Sequence, residues 1–229
     1  MIKAVFFDWS DTMAHPEPDR HVVVHCAAQE LGVKLSLQGL KRRLYEAESQ
    51  VSAGSPSRWR EGEDEAPFIL WWEVLLSGTS AKPSTELMLQ ITRRIKQLSK
   101  RLTWILYDDV LPTLGKLKQR GFILGLITSM GKDVKIAAQK LGIKTYLDFM
   151  VISEEVGAVK PEPPIFLAAL ERAMVDAWEA VYVGDQYETD VLGARGVDIR
   201  PILIDRFDLM PGVSDCTRIH SLIELDRYL

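Results

Sequence analysis

VFFDWSDTM, residues 5 to 13, decides how this chain is read. The apolar run IKAVFF (residues 2–7) suits a short strand buried on both faces. It stops abruptly at Asp8, with Ser10, Asp11 and Thr12 following at once. A strand buried on both faces belongs in a parallel sheet, and such sheets bind ligands at the carboxyl ends of their strands. The run therefore predicts both a fold class and the location of a site.

Working outward, the sequence beyond residue 107 alternates strand and helix patterns. GFILGLIT (121–128), DFMVIS (148–153), AVYVGD (180–185) and RPILID (200–205) read as strands. Between them DVKIAAQKLGI reads as a helix closed by Gly142, and PPIFLAALERAM as one with Pro164 in its first turn. A further helix runs through TDVLGAR, with Gly196 after it, and SLIELDRYL reads as a closing amphipathic helix. Alternation of this kind implies right-handed crossovers and a doubly wound, Rossmann-like parallel sheet. Residues 15–107 differ. HVVVHCAAQELGV and STELMLQITRRIKQL carry helical periodicity, SAGSPSRWREGEDEAP (52–67) reads as a long polar connection, and no strand is legible. The expected organisation is an α/β core over 1–14 and 108–229, with an all-helical cap over 15–107.

Composition excludes several classes. The chain is 47% hydrophobic and 26% charged, which argues against disorder. A net charge of −4 without a long basic run argues against nucleic acid as a partner. No stretch approaches the roughly 20 apolar residues that span a bilayer. MIKAVFF is too short for the apolar part of a signal peptide, so a cytoplasmic protein is expected, with Cys26 and Cys216 as reduced thiols. Apolar residues on the cap helices serve either a core or a dimer contact, which leaves oligomeric state open.

The informative polar residues fall at strand ends. Asp8, the pair Thr128–Ser129, and Asp185 each end a strand, and Lys160 lies in the loop GAVKPEPP beyond another. Two carboxylates, a hydroxyl and an ammonium along one sheet edge suit a divalent cation and a phosphoryl group. Oxygen ligands point to Mg²⁺.

FFDWSDT, LITS, GAVKPEPPIF and VGDQYETDVLGA, in that order, resemble the haloacid dehalogenase superfamily, specifically its phosphohydrolases with a helical cap after the first motif. The resemblance covers the core and says little about the cap. It implies that Asp8 is a nucleophile forming an aspartyl-phosphate. It implies that Thr128, with the backbone N–H groups of Ser129 and Met130, binds phosphate oxygens, and that Lys160 neutralises nucleophile and phosphoryl group. For the metal it implies Asp8, the backbone carbonyl of Ser10 and Asp185, with Asp190 in support. The implied partner is a small phosphorylated metabolite.

Ser10 departs from the family pattern. An aspartate usually stands there as the general acid–base, and such catalysis contributes about 10²–10⁴ in rate. Asp11 stands where glycine is usual. It reads either as a displaced acid–base group or as a turn residue whose side chain binds its own backbone. Two other readings stay open: a non-catalytic phosphate- or metabolite-binding protein, and a hydrolase of carbon–phosphorus or carbon–halogen bonds. The carbon–phosphorus reading would need a cap lysine, for which Lys34 and Lys41 are available by type alone. In the cap, SPSRWREGEDE reads first as an exposed charged loop; the alternative is that Arg58 and Arg60 meet an anionic substrate and Trp59 stacks on a flat group. Trp71 and Trp72 read as core. His15, His21 and His25 have no metal spacing.

Overall fold

A computed structural model describes residues 1–51, 55–56 and 58–229 of the chain. The chain divides into two compact units: Met1–His15 with Trp104–Leu229, and Pro16–Thr103.

The first unit is built on a six-stranded parallel sheet. Its strands are β1 (Ala4–Phe7), β4 (Ile123–Thr128), β5 (Phe149–Ile152), β6 (Ala180–Gly184), β7 (Arg200–Ile204) and β8 (Thr217–Ile219), in the order β5-β4-β1-β6-β7-β8. The winding reverses at β1, which pairs in parallel with β4 on one side and β6 on the other. β1 is wholly buried, and its alternate residues feed two cores. Val5 and Phe7 pack with Val110, Leu114 and Leu117 of α5 (Val110–Gln119) and Val134 and Ala138 of α6 (Asp133–Lys140). Ala4 and Phe6 join Ile165, Phe166 and Ala169 of α8 (Pro163–Ala173) on the opposite face. Gly142 has φ +76°, the left-handed conformation that a glycine after a helix adopts without penalty.

The second unit holds α1 (Arg20–Glu30), α2 (Leu40–Val51), α3 (Glu65–Leu76) and α4 (Thr85–Ser99). Polar side chains start three of these helices, as donors at their first turns require. Asp19 accepts from His21 N, Asp64 from Ala66 N, and Ser84 from Leu87 N. Its core contains Phe68, Trp71, Trp72, Leu75 and Ile91.

Several expectations need correction. Residues 15–107 are not free of strand: β2 (Ala14–Glu17) and β3 (Thr103–Leu106) pair as a two-stranded sheet. Four residues each, with Pro16 inside one, are too short to show a period. β8 is shorter still and was equally illegible. SLIELDRYL closes as a 3₁₀ turn over Leu222–Arg227, opened by a reciprocal cap between Ser221 and Glu224, not as an α-helix. The helix through TDVLGAR begins as a wide π turn over Tyr187–Val191 before α9 (Leu192–Arg195). The expected connection over 52–67 includes residues 52–54 and 57, which lie outside the described residues. Among the described residues, no helix is long and apolar enough to cross a membrane. Both cysteines are free thiols.

Candidate active site

The sheet itself gathers the site. Phe7 of β1 stands in register with Leu126 of β4 and with Val183 of β6, so the residues that follow these strands emerge at one edge. Asp8 extends the ladder by one bond, its N–H donating to Val183 O at 2.9 Å. Gly184 is the last residue of β6, and a Cβ built on it would fall 2.3 Å from Asp190 Cγ. Only glycine leaves room there for the carboxyl group of Asp190. The π turn brings that carboxyl back over the strand, where Oδ2 accepts from Gln186 N at 3.0 Å.

Lys160 is the centre of the cluster. It is 5% exposed, and its ammonium donates to Asp8 Oδ1 at 2.5 Å, Asp190 Oδ1 at 2.6 Å and the Tyr182 hydroxyl at 2.9 Å. The Lys160 backbone N–H donates to Ser129 Oγ at 3.0 Å, which ties its loop to the end of β4. One carboxylate oxygen each from Asp8, Asp185 and Asp190 lies within 4.8 Å of the others.

These carboxylates stand in an unusual electrostatic position. Burial pushes Asp8 from 3.8 up to about 6, with Asp190 adding to the rise and Lys160 opposing it. Burial also raises Asp185 well above the usual carboxylate range, helped by Asp8, Asp190 and Asp11. For Lys160, burial disfavours the charge, but Asp190 and Asp8 outweigh it and hold the ammonium protonated. Two of the three clustered carboxylates, Asp8 and Asp190, pair with the one buried ammonium, which leaves an anionic pocket of oxygen donors. A hard divalent cation fits that donor set and offsets the repulsion.

The turn after β1 is closely braced. Met13 N and Ala14 N both donate to Trp9 O, at 3.0 and 2.9 Å, which closes a single coil around Ser10 and Asp11. Asp11 has φ +57°, a conformation that aspartate tolerates better than most residues. Its carboxylate does not bind its own backbone as expected for a turn residue. Oδ1 accepts instead from the Tyr107 hydroxyl at 3.2 Å. Thr12 reaches Asp185 Oδ1 from its hydroxyl at 3.5 Å. Arg206 then holds this turn from behind, donating to Thr12 O at 2.7 and 3.1 Å and to both oxygens of Asp109 at 2.9 Å. Trp9 is buried, edge-on to Trp104 at 5.5 Å.

The remaining expected residues divide. Thr128 is buried at the end of β4, but its Oγ1 accepts from Met130 N at 3.1 Å. The Met130 N–H, expected among the phosphate donors, is thus engaged within its own loop. Trp59 is no exposed platform. It is 2% exposed, stacks on Phe68 at 4.3 Å and donates to Asp64 O at 3.0 Å. An indole surrounded by apolar neighbours is more stable in a core, which its loop-like flanks concealed. Arg58 and Arg60 are exposed, and Arg60 donates to the carbonyls of Arg58 and Trp59 at 2.6 and 3.2 Å. Lys34 is exposed, and Lys41 pairs with Asp19 at 2.7 Å. His21 Nδ1 lies 2.9 Å from Asp19, and His25 Nδ1 lies 2.5 Å from Leu35 O.

Sequence reasoning missed Thr12, Tyr107, Tyr182 and Arg206. Thr12 alone had a signal, its place in the turn that follows β1.

Residues 2–198 match the family described as haloacid dehalogenase-like hydrolase. The chain is 33% identical over 215 residues to a glyceraldehyde 3-phosphate phosphatase of Methanopyrus kandleri, covering 90% of this chain and 85% of that one. Among solved structures it resembles a haloacid dehalogenase phosphatase from Thermococcus onnurineus, at 27% identity and a TM-score of 0.60, over 99% and 97% of the two chains. A 2-haloacid dehalogenase from Pseudomonas syringae superposes at 26% identity and a TM-score of 0.57, again over 99% and 97%. The match runs through the whole sheet edge that carries Asp8, Thr128, Lys160 and Asp185, and the chain belongs to the haloacid dehalogenase-like hydrolases.

Proposed function

We propose that this chain is a Mg²⁺-dependent phosphohydrolase acting on a small phosphorylated metabolite, with Asp8 as nucleophile. The observation that carries the reading is the Asp8 carboxylate, bonded to Lys160 and clustered with Asp185 and Asp190 within 4.8 Å. A dehalogenase needs no such cation-holding cluster, because its substrate brings no phosphoryl charge for a bound cation to neutralise. The name of the Methanopyrus kandleri relative makes glyceraldehyde 3-phosphate the first natural substrate to assay.

In the proposed reaction an Asp8 oxygen attacks phosphorus, the P–O bond to the leaving group breaks, and an aspartyl-phosphate forms. Lys160 stands against Asp8 through its ammonium and offsets negative charge on nucleophile and phosphoryl oxygens. The Thr128 hydroxyl and the backbone N–H of Ser129 orient the phosphoryl group. Asp8, the Ser10 carbonyl and Asp185 would hold Mg²⁺, with Asp190 fixing Lys160 beside them. When bound, the cation supplies Lewis-acid neutralisation of phosphoryl charge. Water then attacks the aspartyl-phosphate, releasing inorganic phosphate and regenerating Asp8.

The weak step is proton transfer. A serine hydroxyl at position 10 is too weak an acid or base at neutral pH to replace a carboxylate. Asp11, the other carboxylate of the turn, is engaged with Tyr107. Turnover is therefore expected to be fastest with leaving groups stable as anions.

The test is phosphate release from an aryl phosphate, with and without Mg²⁺, by the parent and by Asp8→Asn. The proposal requires Mg²⁺-dependent release that the variant loses. Equal rates in the two proteins, or Mg²⁺-independent halide release from a haloacid, would remove it. Phosphate binding without turnover would point to the non-catalytic reading.

A further inference from the structure

Tyr182 has no part in the reaction as written above, yet its hydroxyl is buried against the groups that perform it. The residue is fully buried in the middle of β6, its ring edge-on to Phe166 at 5.3 Å. Its hydroxyl accepts from Lys160 Nζ at 2.9 Å and donates to Asp190 Oδ1 at 2.9 Å. The directions of these bonds follow from chemistry. An ammonium only donates and an ionised carboxylate only accepts, so the phenol must accept from one and donate to the other.

The geometry points to Tyr182 as a positioning residue for Lys160, holding its ammonium between Asp8 and Asp190 so that neither carboxylate captures it. This rests on the reading of Asp8 and Lys160 given under Proposed function. An ammonium has three N–H donors. Lys160 directs them to Asp8, Asp190 and Tyr182, so all three are engaged. Tyr182 is the only uncharged partner of the three. Removing its hydroxyl leaves one buried N–H without an acceptor, and an ammonium in that state moves toward its anions or admits water. Either motion changes how Lys160 meets Asp8.

The strand explains why this residue can do the work. Tyr182 and Gly184 lie on the same face of β6, two positions apart. At Gly184 the missing side chain makes room for Asp190, and at Tyr182 the hydroxyl meets the same carboxyl group. One strand face thus places Asp190 by a void and a hydroxyl, and Lys160 by that hydroxyl.

Tyr182→Phe keeps the ring and removes the oxygen. Phe166→Leu is the packing control, because it disturbs the same ring contact and touches no polar group of the site. Both are assayed with an aryl phosphate and Mg²⁺, with melting temperature measured alongside. Tyr182→Phe is expected to lower kcat by roughly tenfold or more while KM changes less than about twofold. Phe166→Leu is expected to lower the melting temperature and leave kcat within about twofold. A Tyr182→Phe protein with parental kcat, or two variants that differ from the parent only in melting temperature, would overturn the inference.

A second readout is independent of turnover. In ¹⁵N-lysine-labelled protein, the Lys160 ammonium signal should exchange with water at least about tenfold faster in Tyr182→Phe than in the parent. An inactive parent defeats the hydrolase reading alone, and the exchange rate then decides the positioning claim. Unchanged exchange overturns it.

Discussion

The guanidinium carbon of Arg206 lies 3.9 Å from the ring centroid of Tyr107. Through that stack and its bonds to Thr12 O, Arg206 braces the turn between Asp8 and Thr12 from a residue 194 positions away. The Tyr107 ring it supports presents the hydroxyl that holds Asp11.

Truncating Arg206 removes one partner of a buried ion pair, since the Arg206 and Asp109 side chains are 8% and 9% exposed. Arg206→Ala is expected to destabilise the protein by about 3 kcal/mol, and Arg206→Lys to recover only part because it lacks the two-pronged fork. Urea unfolding checks both. Burial alone would raise the Asp109 carboxyl, but bonds from Arg206 and Ser221 outweigh it and hold it below the usual range. A depressed carboxylate stabilises the fold above its ordinary value and loses that contribution as pH falls through the folded value. Asp109→Asn should therefore lose stability at neutral pH and show a shallower acid limb.

Asp8 behaves in the opposite sense. Its folded value, about 6, exceeds the ordinary 3.8, so the folded protein binds the proton more tightly than the unfolded chain. Stability then falls as pH rises between those two values, and the deficit is complete above them. Without metal, Asp8→Asn should be more stable than the parent at pH 7 to 8, by on the order of 1–3 kcal/mol. The difference should vanish near pH 4. Thermal melts across that range would show it, and a variant less stable than the parent at every pH would contradict the account.

Metal binding should reverse that deficit. Free ligand at 100 times its dissociation constant stabilises by about 2.7 kcal/mol. Saturating Mg²⁺ should therefore raise the melting temperature of the parent by several degrees and leave Asp185→Asn nearly unmoved. An equal rise in both proteins would place the cation elsewhere.

Ser10→Asp restores a carboxylate at the place from which the acid–base group is missing. Turnover of alkyl phosphates should rise by about 10²-fold or more, and that of aryl phosphates by much less. Asp11→Asn in the parent should change both alike, because Asp11 is committed to Tyr107. If Asp11→Asn instead penalises alkyl substrates selectively, Asp11 leaves that bond to act as the acid.

Why some of this was legible and some was not follows from particular residues. Asp8 and Asp185 announce themselves because each interrupts an apolar run, and Lys160 because its loop carries a recognisable pattern. The doubly wound sheet was legible for the same reason: its four central strands, from β4 to β1 to β6 to β7, are all continuous apolar segments. Tyr182 lies inside such a segment and looks like packing. Tyr107 and Arg206 gain meaning only from Asp11 and Thr12, at separations of 96 and 194 residues. Trp59 misled in the other direction, because charged neighbours surround it in sequence while apolar ones surround it in space. The short β2, β3 and β8 carry too few residues for alternation to register.

The wide coil at Tyr187–Val191 carries one residue more per turn than an ordinary helix would. Shortening that segment by a single residue would let it relax into regular α-helix. Each residue there accounts for about 100° of rotation, so Asp190 would swing off β6 and away from Lys160. Tolerance of this segment to changes in length is accordingly far narrower than its polar, partly exposed composition would lead one to assume.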